Sequence, residues 1–145
     1  MSHQELPTLT FEKGIPGFPE CQNFVLTDLK TGFYDPLKLL LSVDQPGLSF
    51  ILYPHQSKDT LLTPSATQEI KEHFSDTVDV YTIVTVKEPN GHFALSTNLR
   101  APVVIDQTQH KGWQYIVSDK ENQIEFFLED LSHSMRHKRV ESGVA

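Results

Sequence analysis

Residues 78–105 constrain the fold more than any other part of the chain. Their first nine residues, VDVYTIVTV, alternate between two faces and are rich in β-branched and aromatic side chains, which is typical of a β-strand on a half-buried surface. The turn signal EPNG follows at 88–91, because Pro fixes φ and Asn-Gly tolerates a positive φ. HFALST (92–97), a break at Asn98 and APVVI (101–105) complete the stretch. The pattern predicts three consecutive strands, around which the remaining strands pair.

Short apolar runs bounded by turn residues predict further strands on both sides of this stretch. Two of the runs are separated by Asp-Gln-Pro-Gly at residues 44–47, which predicts a hairpin. Residues 13–19 hold two Gly and two Pro and are predicted to be irregular, since neither a helix nor a central strand accepts them. Many short strands with turn signals favour a mainly β fold, a small antiparallel β-barrel of about seven strands. The strands predicted outside the central stretch are 9–11, 23–27, 37–43, 49–53 and, as the last strand, 113–117.

One short helix and one C-terminal amphipathic helix are predicted in addition. The first starts with the spacing of a capping box, Ser65 followed three residues later by Gln68. Its apolar face carries Ala66, Ile70 and Phe74. The second helix is predicted from apolar residues at helical spacing: Ile124, Phe127, Leu128, Leu131 and Met135. Histidines and basic residues at 133–139 suit a helix C-terminus, and residues 141–145 are expected to be loose.

The length and the charge bound the domain organisation and the partners. A chain of 145 residues predicts a single domain, residues 1–145, that is large enough to bury a hydrophobic core. The formal net charge is −7, which disfavours a grip on nucleic-acid phosphates and favours an encounter with a basic protein surface. The alternative is that the acidity only keeps the protein soluble.

Cysteine usage and hydropathy point to the cell interior. Cys21 is the single cysteine, so no internal disulfide is possible and a reducing compartment is expected. The chain holds no apolar run of 18 residues that would span a membrane, and its first residues, MSHQELPTLTF, lack the pattern of a signal peptide. We expect a cytoplasmic protein, monomeric by default, with no cofactor.

Motifs for catalysis or metal binding are weak. His133 and His137 lie four residues apart on the predicted terminal helix, as in a zinc pair, but no further ligands lie nearby, and a solvated cationic helix end explains them. Cys21 has no cationic neighbour in sequence to activate it as a nucleophile, so an inert thiol is expected. Nucleophile-elbow, phosphate-loop and H-E-x-x-H motifs do not occur. We therefore expect no metal site and no catalytic residue, and favour a binding protein over an enzyme.

Three regions are candidates for a partner surface. The first is the loop at residues 14–18, the second is the bend at residues 98–102, and the third is the predicted terminal helix. For the two loops, the alternative is a tight turn whose apolar residues only plug the ends of the barrel. For the helix, the alternative is packing against its own sheet. The candidate partner-binding residues are Ile15, Pro16, Gly17, Phe18, Asn98, Leu99, Arg100 and Pro102.

Five segments of the sequence together resemble the flagellar assembly factor FliW family. The most specific pieces are GIPGF and TNLRAPVVI, and the order and spacing match over residues 9–118. From residue 119 onward the sequence departs from the resemblance and predicts a diverged helix and tail. The resembling segments are LTFEKGIPGFPECQNFVL (9–26), DQPGLSFILYP (44–54), DVYTIVTVKEP (79–89), STNLRAPVVID (96–106) and GWQYIV (112–117).

The resemblance implies a small β-barrel that regulates without catalysis. FliW-like proteins bind CsrA, an RNA-binding translational repressor, and prevent it from silencing flagellin mRNA, and they also bind flagellin itself. The two partners compete, so that flagellin synthesis is coupled to flagellin export. For this chain the resemblance implies CsrA and flagellin as partners, with no direct contact to nucleic acid.

Two other functions stay open at this stage. One is an enzyme on a small barrel, which would require a concave pocket with two titratable groups within hydrogen-bond reach. The other is a flagellin-binding chaperone that has lost CsrA antagonism, for which the altered segment at residues 119–145 would be the reason.

Overall fold

A closed ring of β-strands forms the centre of the structure. This computed structural model describes residues 6–29, 37–55, 60–87 and 94–128, to which every structural statement below refers. The elements in these ranges are β1 (Thr8–Thr10), β2 (Asn23–Asp28), β3 (Lys38–Ser42), β4 (Ser49–His55), α1 (Pro64–His73), β5 (Asp79–Lys87), β6 (Ala94–Thr97), β7 (Val103–Asp106), β8 (Lys111–Gln114) and β9 (Phe126–Phe127).

The ring is closed by β5, which uses both of its edges. One edge pairs with β4, while the other pairs with β7 through its first residues and with β6 through its last. The ring runs β4-β3-β2-β1-β8-β7-β5 and back to β4, and β6 and β9 extend from β5 outside it. All pairings are antiparallel except the short parallel contact between β1 and β8. The predicted small barrel of about seven strands is thus confirmed, and the strands do pair around residues 78–105.

The strand register gives the sheet one apolar inner face. Residues that pair across strands share a face, and the pairs Leu9–Phe24, Leu26–Leu40, Leu52–Ile83 and Tyr81–Val103 all point into the ring. The alternate residues of β5 point outward and are covered as well, because Val80 lies under α1 and Val84 contacts Leu128. Both faces of β5 are therefore covered from Val80 to Val84, more than the half-buried surface that the composition predicted, whereas Thr85 and Val86 are exposed.

The start of helix α1 differs from the prediction. Thr63, not Ser65, is the N-cap: its hydroxyl accepts a hydrogen bond from the Ala66 amide at 3.3 Å. Pro64 follows at the first helical position, where its missing N–H costs nothing. The predicted apolar face is confirmed, since Ala66 and Ile70 are buried and Phe74 packs in the same cluster.

The C-terminal part also differs from the prediction. The last strand is not 113–117: β8 ends at Gln114, and the two-residue strand β9 follows and pairs with β6. The predicted helix does not begin at Ile124, because Phe126 and Phe127 are in an extended strand. The remainder of that helix, from residue 129, lies outside the described residues, as does the predicted turn at 88–91.

Gly112 and Phe11 close the barrel where its backbone pairing is shortest. β1 and β8 share one registered pair, Thr10 with Lys111. Beside it, the Phe11 ring lies so close to Gly112 that a Cβ on this glycine would be 2.2 Å from Cζ of Phe11. Phe11 itself is fully buried and packs edge-on against Phe24, with ring centroids 5.1 Å apart.

We expect Gly112→Ala to destabilise the fold by about 1–3 kcal/mol, because the added methyl group must displace the Phe11 ring from a filled interior. Urea denaturation of the wild type and the variant measures this change. The control is a double-mutant cycle with Phe11→Leu. The double variant should lose less free energy of unfolding than the two single variants lose together. Simple additivity of the two changes would contradict this packing argument.

A chain of polar groups crosses the apolar surface between β4, β5 and β6. The Leu61 amide donates to Nδ1 of His55 at 3.2 Å, so Nε2 carries the hydrogen and faces the Thr82 hydroxyl at 2.8 Å. The Thr97 hydroxyl lies 2.6 Å from that of Thr82 and 2.9 Å from the carbonyl oxygen of Ile83. All of these groups are satisfied only while His55 is neutral, and burial lowers its pKa from 6.5 to about 4.

We expect His55 to make the free energy of unfolding depend on pH between 6.5 and 4. Because the folded pKa lies below the unfolded one, its contribution is complete above pH 6.5 and is lost as the pH falls toward 4. The full loss is about 3 kcal/mol. His55→Gln retains a donor and an acceptor but does not titrate. Urea titrations at several pH values should therefore show a smaller acid loss in this variant, and equal losses would be inconsistent with a buried neutral imidazole.

Candidate protein-interaction surface

The two candidate loops of the sequence lie at the same end of the barrel. Strand directions place the segments at 11–22, 43–48, 98–102 and 115–117 together, because each of them follows or precedes a strand at that end. We call this set of segments the bend end, and include residues 118–122, which Arg100 joins to the bend at 98–102 by hydrogen bonds. The opposite end holds a cavity of about 280 Å³ whose lining includes Leu6, Leu9 and Leu26.

The loop at 14–18 divides its residues between the core and the surface. Ile15 is 2% exposed and plugs the bend end, so it is not available to a partner. Phe18 is half-buried against Phe50, with ring centroids 5.8 Å apart. Pro16 and Gly17 are exposed at the tip. Gly17 has a φ of 93°, which favours glycine at this position.

The bend at 98–102 is held from both sides. Leu99 and Pro102 are buried, whereas Asn98 and Arg100 are half-buried. The Asn98 side chain accepts a hydrogen bond from the Arg100 amide at 2.9 Å. The Arg100 guanidinium donates to two main-chain carbonyls, those of Lys120 at 2.9 Å and Asn122 at 3.1 Å. Arg100 thus fixes the segment that follows β8 rather than extending freely into solvent.

That segment is also fixed to the start of α1. The Asp119 carboxylate accepts hydrogen bonds from the hydroxyls of Thr63, at 2.8 Å, and of Ser65. Asn122, which is 1% exposed, accepts from the Thr63 amide and donates back to the Thr63 hydroxyl, both at 3.0 Å. A carboxylate near a helix N-terminus is stabilised by the helix dipole. Ser65, the predicted cap, is therefore a donor to Asp119.

Glu69 of helix α1 also binds the segment that follows β8. Its carboxylate accepts from the Tyr115 hydroxyl at 2.5 Å, from the Ser118 amide at 2.9 Å and from the Ser118 hydroxyl at 3.0 Å. The His73 ring lies 4.7 Å from that of Tyr115. Two carboxylates, Glu69 and Asp119, therefore fix the helix and the segment after β8 to each other.

The carboxylates at this end stay ionised in acid. Hydrogen bonds from the Asn23 amide, the Asn23 side chain and the Gln22 amide lower the pKa of Asp44. The Ser65 hydroxyl, the Glu121 amide and the Thr63 hydroxyl lower the pKa of Asp119. Each donor favours the charged form of its acceptor. Both carboxylates therefore stay ionised to a lower pH than a free aspartate.

Exposed apolar side chains lie within this acidic surface. Ile116 is 70% exposed and Val43 is 52% exposed, and both follow strands that end here. Apolar points with a charged rim are typical of protein-interaction sites. The charged side chains of the bend end are Glu12, Glu20, Asp44, Asp119 and Glu121 with Lys13, Arg100 and Lys120.

Sequence reasoning missed several residues of this surface. Asp44 was predicted only as a turn residue and Asp119 was not singled out, since the groups that donate to them lie 21 and 56 positions away in the chain. Ile116 looked like part of a half-buried strand. The only usable signal was Thr63-Pro64, which marks the helix start that Asp119 approaches.

No arrangement for chemistry is evident in the described ranges. No three His, Cys, Asp or Glu side chains there are placed to hold a metal ion, and His133 and His137 lie outside those ranges. Cys21 is buried, with its sulfur 3.7 Å from Oε1 of Gln45. Helical structure in the same ranges lacks the length and apolar character needed to cross a bilayer.

Known proteins of one family match this chain both in sequence and in structure. The family model described as FliW protein matches residues 1–128. The flagellar assembly factor FliW of Exiguobacterium sp. is 35% identical over 120 residues, covering 79% of each chain. That of Thermosipho africanus is 33% identical over 129 residues, covering 86% of each. A crystal structure of the flagellar assembly factor FliW superposes with a TM-score of 0.63 at 30% identity, covering 88% of this chain and 89% of the other.

We expect Arg100→Lys to destabilise the protein by about 1–3 kcal/mol, because an ammonium group cannot span both carbonyls and leaves one of them without its charged donor. Lys120→Ala is the matched control: only the main-chain carbonyl of this exposed residue is used, so its change should stay within about 0.5 kcal/mol. Urea denaturation measures both, and equal effects would refute the role given to the guanidinium.

Proposed function

Because the chain belongs to the FliW family of flagellar assembly factors, we propose that it binds and antagonises the translational repressor CsrA and also binds flagellin. In this proposal it is a cytoplasmic protein without enzymatic activity. Release of flagellin through export frees the protein to bind CsrA, and flagellin synthesis resumes. It acts by occupying surfaces of other proteins.

The observation that carries this proposal is the family match over residues 1–128, which covers every strand of the barrel. The filled interior supports it, because the ring encloses packed apolar side chains in place of a pocket with converging acid and base groups. The net charge of −7 supports a basic partner such as an RNA-binding repressor.

The bend end is the surface that we assign to partner binding. It combines the exposed tip at Pro16 and Gly17 with Ile116 and the ionised carboxylates Asp44 and Asp119. Opposite charges accelerate the encounter, while a desolvated apolar contact supplies most of the affinity. Mutual exclusion of two partners then requires only that their footprints overlap on this surface.

A flagellin-binding chaperone without CsrA antagonism is the second candidate. It is favoured by the extent of the family model, which ends at residue 128. The full-length protein, assayed with each partner separately, distinguishes the two functions: the antagonist binds CsrA and flagellin, whereas the chaperone binds flagellin alone.

We expect the purified protein to bind CsrA and flagellin at micromolar concentration in calorimetry, with affinity for CsrA falling as salt is added. Ile116→Ser should weaken binding of at least one partner about tenfold, equivalent to about 1.4 kcal/mol. Leu6→Ser is the control, because Leu6 is 47% exposed but lies at the opposite end. The proposal fails if neither partner binds the wild type, and the assignment of the surface fails if the two variants behave alike.

A further inference from the structure

The chain after β8 continues to pair with one neighbour only. The Tyr115 amide donates to the Pro102 carbonyl at 2.8 Å, and the Val117 amide donates to that of Arg100 at 2.9 Å. In an antiparallel pair, hydrogen-bonded residues alternate with residues whose N–H and C=O point to the other edge. Gln114 and Ile116 therefore direct their backbone groups away from β7 and the 98–102 bend.

On that other edge, β1 leaves before it reaches these residues. The Thr10 amide donates to the His110 carbonyl at 2.9 Å, and Thr10 pairs with Lys111. At Phe11 the chain still follows β2, since its amide donates to the Gln22 carbonyl at 2.7 Å. It turns directly afterwards, because the Gly14 amide donates to the Phe11 carbonyl at 2.8 Å. In the ranges described, no strand takes the position beside Gln114 and Ile116.

The result is an open strand edge at the bend end. It presents the N–H and C=O groups of Gln114 and Ile116 in the geometry that an added strand would require. Ile116 is the most exposed large apolar side chain in the described ranges, at 70%. The hydrogen bonds of Glu69, Asp119 and Arg100 hold this edge extended, although no strand in the described ranges lies on its outer side.

We propose that this edge binds an extended segment of the basic protein partner by strand addition. The segment would continue the line of β1 along β8 and place an apolar side chain against Ile116. Its Lys or Arg side chains would lie near three carboxylates. Asp119 and Glu121 follow Ile116 in sequence, and Glu69 is hydrogen-bonded to the Ser118 amide. Main-chain hydrogen bonds then supply affinity, while the apolar contact and the charges select the partner.

This inference deepens the proposed function and rests on it, because CsrA is the basic partner there. The test is amide hydrogen exchange of the full-length protein, alone and saturated with purified CsrA. The amides of Gln114 and Ile116 should exchange at least tenfold more slowly in the complex. The amides of Tyr115 and Val117, which already donate within the fold, serve as internal controls and should change much less.

A pair of variants tests the same hydrogen bonds by affinity. Ile116→Pro removes the N–H, and Tyr115 before it lies in an extended segment, which a following proline accepts. Ile116→Val keeps the N–H and a β-branched side chain. Calorimetry with CsrA should show affinity at least tenfold weaker for the proline variant and within about twofold of wild type for the valine variant.

The possible outcomes distinguish a failure of strand addition from a failure of the proposed function. If CsrA binds the wild type but neither slows exchange at 114 and 116 nor distinguishes the two variants, strand addition is refuted and the proposed function stands. Protection of these amides by flagellin alone would refute the basic partner as the occupant. If neither protein binds, both proposals fall. Should the proline variant be less stable, the exchange measurement on the wild type decides alone.

Discussion

The contact between the Phe11 ring and Gly112 closes the barrel where the backbone cannot do so by itself. β1 and β8 share a single registered pair, which is too little to hold a sheet edge against fraying. An aromatic ring packed directly on a glycine backbone joins the two strands through the interior. The remaining interior residues, from Leu9 to Ile105, then pack into one apolar core inside the ring. Beyond the single pair with β1, the segment from Gln114 to Ile116 keeps a neighbour on its β7 side only, in the ranges described.

The polar network at the bend end combines a structural role with an electrostatic one. Asp119 and Glu69 cross-link α1 to the segment after β8, and Arg100 binds the same segment from the other side. These carboxylates accept hydrogen bonds from neutral hydroxyl and amide groups, which favour their charged form, and Arg100 lies near enough to Asp119 to lower its pKa as well. The same hydrogen bonds therefore both cross-link the segment after β8 and keep two carboxylates ionised beside it.

The candidate loops differ in what they can do. GIPGF uses Ile15 as a plug and exposes Pro16 and Gly17, so the plug interpretation is correct for Ile15, and a partner surface at Pro16 and Gly17 stays a prediction. TNLRAP is largely internal, since Leu99 and Pro102 are buried and Arg100 binds main-chain carbonyls. The residues of a motif that identifies a family can therefore be required by the fold and not by contact with a partner. In this chain the exposed apolar group beside TNLRAP is Ile116, which belongs to neither motif.

The sequence by itself determined the local elements: the alternation at 78–86, the hairpin around Pro46-Gly47 and the apolar face of α1 depend on periodicity and turn chemistry within a few residues. Tertiary structure alone decided the extended conformation of Phe126 and Phe127 and the meeting of Asp119 with α1. Those features depend on partners far away in the chain. Helical spacing at Phe126 and Phe127 was overruled because β6 offers an edge to pair with, and such an edge exists only once the barrel has formed.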